Sequence, residues 1–132
     1  MKKIINQLVI IFIILLLSAC SDSNSNKSAQ GLFLPPTGFI ADVNQGRELF
    51  NKNCSHCHGA DIRGTKQGPP LLHKIYESSH HSNMSFYRAV SRGTHQHHWQ
   101  FGNMPPVKNV TASEAGHIIG YIRKEQRRAG IK

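Results

Sequence analysis

The sequence is short of cysteine, of acidic residues and of long apolar runs. Three cysteines occur in 132 residues, and none follows Cys57. A zinc site built on the pair Cys54 and Cys57 would need a second ligand pair, which only histidine could supply. Asp and Glu number 7 against 16 Lys and Arg, a formal charge of +9. That excess points to acidic partners or anionic surfaces. Nucleic acid is disfavoured, because no basic residues cluster on a predicted helix beyond Arg123 to Arg128. Apart from the Cys54–His58 stretch, no titratable set resembles an acid/base pair or a nucleophile with its base, so the chain does not read as an enzyme. The longest apolar run, Ile4 to Leu17, is interrupted by Asn6 and Gln7. It is short for a membrane span and right for the core of a signal peptide, with Met1-Lys2-Lys3 as its positive lead. The length has room for one domain.

The run ends Leu17-Ser18-Ala19-Cys20, which resembles the lipobox of bacterial lipoproteins. The resemblance implies a signal peptide over 1–19 and a Cys20 that is acylated as the first mature residue. It also accounts for a third cysteine that would otherwise be an unpaired thiol in an exported protein. A chain starting there keeps 14 basic residues against 7 acidic. Ser21 to Gln30 has no large apolar residue and no periodicity, and reads as a flexible tether. Residues 20–40 are therefore assigned to the lipidated cysteine and tether, and 41–132 to the folded domain. Leu32-Phe33-Leu34-Pro35-Pro36 is non-helical and packs either on the domain or on a partner.

Cys54-Ser55-His56-Cys57-His58 has the form C-x-x-C-H, the attachment signature of a c-type haem. Two thiols at this spacing can add to the two vinyl groups of one haem edge. The histidine after the second thiol can then supply a neutral imidazole to the iron. A redox dithiol would call for a βαβ context, and the polar, glycine-punctuated flanks do not provide one. A zinc knuckle completed by downstream histidines stays open. In so small a domain a covalent apolar cofactor would add to a thin core.

Asp42 is a good N-cap for a helix with Val43, Gly46, Leu49 and Phe50 on its apolar face. Gly59 and Gly64 mark a loop before Gly68-Pro69-Pro70-Leu71. Residues 82–93 predict a short helix capped by Ser82 or Asn83, with Phe86, Ala89 and Val90 inward and Gly93 at its end. A loop carries His95, His97, His98, Trp99 and Met104-Pro105. Thr111-Ala112-Ser113-Glu114 is a capping box. It opens a helix striped by Ala115, Ile118, Ile119 and Ile122, with Tyr121 beside the stripe and Gly116 and Gly120 available for close helix crossing. Arg123, Lys124, Arg127 and Arg128 near its end complement the helix dipole and read as a solvated face.

This order of helix, C-x-x-C-H, Gly-Pro-x-Leu, middle helix, Met-Pro and C-terminal helix resembles the monohaem class I cytochromes c over about residues 41 to 125. The resemblance implies an all-α fold of four to five short helices around one covalently bound haem c. It implies thioether bonds from Cys54 and Cys57, a Pro69 carbonyl bonded to the proximal His58, and Leu71 against the porphyrin. It also implies Met104 as the second axial iron ligand, with Met84 left as core filler in the middle helix. Trp99 is expected to donate its N–H to a haem propionate or to pack on the haem edge.

The expected function is a membrane-tethered one-electron carrier between respiratory-type redox partners with acidic docking surfaces, its exposed haem edge ringed by basic residues. It would be lipid-anchored in a bacterial cell envelope, facing the periplasm or the outer side of the cytoplasmic membrane. Two other readings stay open: a haem-based ligand sensor in which Met104 dissociates or never binds, and a lipoprotein that holds copper or zinc through His95, His97 and His98.

Overall fold

The computed structural model describes residues 33–132. The leader over 1–19, Cys20 and the tether up to residue 32 lie outside the described residues. Four α-helices occur among those described: α1 Val43–Asn53, α2 Ser55–His58, α3 Asn83–Arg92 and α4 Ala112–Arg128, with a 3₁₀ turn at Lys74–Tyr76. Among the described residues, extended pairing is confined to one antiparallel bridge between Thr94 and Met104. No described helix is long and apolar enough to cross a membrane.

Both long helices begin on side-chain caps that satisfy amides with no partner inside the helix. The Asp42 carboxylate accepts from the Asn44 and Gln45 amides at 2.8 and 3.2 Å. Thr111 and Glu114 form the reciprocal box, the Glu114 carboxylate accepting from the Thr111 amide at 2.8 Å. Those bonds from Thr111 hold the Glu114 carboxyl below its ordinary pKa.

The two helices cross at Gly46, where a Cβ would fall on the His117 carbonyl of α4. Phe50 is fully buried one turn later, its ring centroid 5.6 Å from that of Tyr121. The start of α1 is also tied to α4, because the Asp42 amide donates to His117 Nδ1 at 2.8 Å. Ala115, Ile118, Ile119 and Ile122 are buried as their spacing predicts, joined by Tyr121, Ile62, Leu71, Val90 and Val110.

Two details of α4 depart from the sequence reading. Gly116 and Gly120 do not serve the helix crossing; they seat the N-terminal arm. A Cβ at Gly116 would collide with the Phe39 ring, and one at Gly120 would come within 2.7 Å of Ala41 Cβ. Phe33 also packs against the core, so the arm lies on the domain from there onward.

Arg123, read as part of a solvated face, is only 7% exposed. Its guanidinium donates to Asn83 Oδ1 at 2.9 Å, to the Tyr76 carbonyl at 2.7 Å, to Gln126 Oε1 at 2.7 Å and to the His81 carbonyl. It also lies over the Phe86 ring, 4.8 Å from its centroid. Gln126, 1% exposed, donates in turn to the Leu71 carbonyl at 2.8 Å. The amphipathic stripe fixes α4 against α1, and this polar pair pins the 71–83 segment to its other side.

Candidate functional site

The C-x-x-C-H stretch is a turn clamped at both ends. The Cys54 amide donates to the Phe50 carbonyl at 2.8 Å and closes α1. The backbone then leaves helical geometry at Cys54 (φ −126°, ψ −30°) and starts the single turn α2, with the Cys57 and His58 amides both returning to the Cys54 carbonyl. Gly59, at φ 77°, takes the chain away in a conformation that favours glycine. Ile62 is the one described non-glycine residue at positive φ, 55°, and it is 1% exposed. A β-branched residue held there is strained. The return is a buried side chain, and a carbonyl that accepts from the Leu71 and Leu72 amides at 2.8 and 3.2 Å.

That loop folds Gly68-Pro69-Pro70-Leu71 back onto the motif. A Cβ at Gly68 would stand 2.9 Å from both the Cβ and the carbonyl oxygen of Cys57, so the approach requires glycine. The Pro69 carbonyl consequently lies 2.9 Å from His58 Nδ1. A carbonyl can only accept, so Nδ1 carries the proton and Nε2 is left with a free lone pair. Burial holds the His58 pKa below its ordinary value, with the Pro69 bond working the other way, and the ring stays a neutral potential ligand.

Met104 reaches the site from the opposite end of the chain. Its amide and carbonyl pair with those of Thr94 at 3.0 Å each. Gly93 (φ 75°) permits this, since a Cβ there would fall on the Met104 carbonyl. Between these elements lies a cavity of about 530 Å³, within the usual range for a cofactor site. Cys54, His58, Pro69, Leu71, Trp99 and Met104 all border it, and Phe50, Val90 and Ile118 add apolar wall. Neither Met84 nor Cys57 borders it, and Cys57 packs against Gly68.

Two observations test what this cavity suits. The Trp99 indole Nε1 is buried and has no hydrogen-bond partner. Burial raises the Tyr76 hydroxyl's pKa, and the neighbouring indole partly offsets this, yet the two are not aligned to bond. A buried N–H on a mostly apolar cavity calls for an acceptor on whatever fills it. The second observation is Cys54, whose thiol is pushed up to about 12, mainly by burial and then by Cys57. Reactive thiols need a lowered pKa, so the burial of Cys54 does not favour thiol redox chemistry there. An apolar group that offers Trp99 an acceptor and lies against the Cys54 sulfur and His58 fits the cavity: haem c meets each condition.

The histidines assemble differently from their sequence spacing. His80 and His81, which the sequence reading passed over, meet His97 and His98 across the start of α3, with ring centroids 4.2 to 5.8 Å apart. His95 stands apart from these rings and lends its carbonyl to His97 Nδ1 at 2.8 Å. His98 is exposed, and its pKa is held below its ordinary value by desolvation first and then by the neighbouring imidazoles of His97, His81 and His80. Burial likewise lowers His81, against its bond to the Ile75 carbonyl. The expected ring of basic side chains is reduced at the cavity itself: among the described lysines and arginines, Arg88 alone borders it.

Comparison with protein families gives a match to the Cytochrome c model over residues 43–126. No curated protein and no solved structure matches the chain.

Proposed function

The chain belongs to the cytochrome c family and carries covalently bound haem c, and from that premise we propose that it is a membrane-tethered one-electron carrier with histidine–methionine ligation. Haem bound in this cavity supplies a one-electron iron couple. The remaining parts are the chain's own. His58, its proton held by Pro69, offers Nε2 from one side. Met104, held by its pairing with Thr94, offers a soft neutral thioether. Trp99, whose N–H is unpartnered, would donate to a haem propionate, and Phe50, Leu71 and Ile118 would keep water from the iron.

The observation that carries this reading is that His58 and Met104, each fixed by its backbone setting, border the same cavity. With both engaged, no coordination position is open to a substrate, so electron exchange is the chemistry available. A tether from an acylated Cys20 would keep the domain close to membrane-bound donors and acceptors. The basic excess, with Arg88 at the cavity, favours acidic redox partners, whose reduction of the protein slows as salt is added.

Cell fractionation and potentiometric titration of wild type and Cys20→Ser test the proposal together. The expected result is a membrane-bound wild type, a variant released to the soluble fraction, and in both a single wave following a slope of about 59 mV per decade, as for one electron. A Cys20→Ser protein that stays with the membrane removes the lipid tether. The absence of a reversible wave removes the carrier.

A further inference from the structure

We propose that His80, His81 and His98, which stand on the wall of the haem cavity, form a second metal site that takes a divalent ion of the zinc or copper type. One ring nitrogen of each residue lies within 4.8 Å of the other two. His80 Nε2 and His98 Nε2 are 3.3 Å apart. Tetrahedral zinc with bonds of about 2.0–2.1 Å to nitrogen sets its ligand atoms about 3.3 Å from one another. Two imidazole nitrogens already stand at that separation, aimed at each other. A shared ion satisfies both lone pairs, whereas a hydrogen bond satisfies one.

The surroundings support the assignment. His81 Nδ1–H donates to the Ile75 carbonyl at 2.7 Å, the outer bond that fixes tautomer and ring orientation in metal-ligating histidines, so Nε2 is the atom it offers. The backbone of His81 is anchored by the buried Arg123, which donates to its carbonyl. His97 stacks on His81 with centroids 5.8 Å apart and planes inclined by 22°. Its ring nitrogens do not converge with the other three, so solvent takes the fourth position. Imidazole-only donor sets suit zinc and copper, and exclude the oxygen-seeking magnesium and calcium. His80 and His98 are exposed, so an ion has direct access. Because His80 and His81 precede α3 and His98 lies on the segment leading to Met104, the ion would fasten the Met104 segment to the body of the domain.

The test is equilibrium dialysis of the metal-stripped, haem-loaded protein against zinc(II), read by elemental analysis alongside the haem spectrum. One zinc per iron is expected, with a rise in the thermal unfolding midpoint. His80→Gln and His98→Gln should each weaken binding by more than about tenfold, the lower end of what even an outer-shell loss costs. His95→Gln should bind as wild type does. Loss in both variants but not in the control excludes a general folding defect, since the two ligands sit on different segments. The proposal fails if zinc does not bind at micromolar concentration, or if His98→Gln binds as tightly as wild type. It also fails if either variant alters the axial-ligand bands of the haem, because the imidazoles would then be serving the iron.

Discussion

Met104→Ala is expected to abolish the methionine–iron charge-transfer band of the oxidised protein and to lower its reduction potential by about 100 mV or more, a fraction of the ~0.8 V that axial ligands span. Thr94 and Met104 exchange two hydrogen bonds of 3.0 Å, and Gly93 leaves room for the Met104 carbonyl. The residue is therefore held at the cavity by its main chain, and shortening its side chain removes the sulfur without releasing the segment. A thioether is soft and neutral and favours the reduced iron, so losing it favours the oxidised form. Met84→Ala is the control. That residue lies on α3 away from the cavity and should change neither band nor potential. A Met104→Ala protein with an unaltered potential would move the second ligand elsewhere, with the nearby histidines first in line.

Arg123→Met should cost about 3 kcal/mol of stability, and lower the thermal midpoint of the haem-loaded protein by more than about 10 °C in a domain of this size. The methionine can fill space beside Phe86 but supplies no donors and no cation over its ring. The carbonyls of Tyr76 and His81 and the Asn83 side chain all lose their partner at once. Unpaired buried acceptors cost about 1–3 kcal/mol each, reduced where water can enter. Arg123→Lys should recover only part of the loss, because one ammonium cannot reach a forked set of acceptors. Thermal unfolding followed by circular dichroism checks both. A change below about 1 kcal/mol would mean that Arg123 behaves as the solvated surface charge its position in the sequence suggests.

The contrast between these two residues shows what could be read from the chain. Met104-Pro105 follows a recognisable order of elements, and Asp42, Thr111 and Glu114 announce their helices through local hydrogen bonding. C-x-x-C-H and Gly-Pro-Pro-Leu are local as well, and the His58–Pro69 contact joins them at 2.9 Å.

Arg123 was misread because its acceptors are mainly backbone carbonyls and an amide 40 to 47 residues away, which leave no mark in composition or spacing. The histidine group was half seen for the same reason. Sequence proximity links 95, 97 and 98, while the convergent set keeps His98 alone of these and adds His80 and His81, which precede α3. Gly116 and Gly120 looked like a helix-crossing notch, but the arm carrying Phe39 and Ala41 occupies it. The strained φ of Ile62 had no signal at all, because nothing about an isoleucine predicts that conformation.

The central claim is that the iron is closed on both sides by side chains of this protein. Mixing the dithionite-reduced, haem-loaded wild type with carbon monoxide tests it most directly. The predicted result is a spectrum unchanged over minutes at neutral pH, with the methionine band present in the oxidised form. A prompt, saturable shift of the Soret band would contradict the account, since it would reveal an open coordination position and a ligand-binding haem protein instead of an electron carrier.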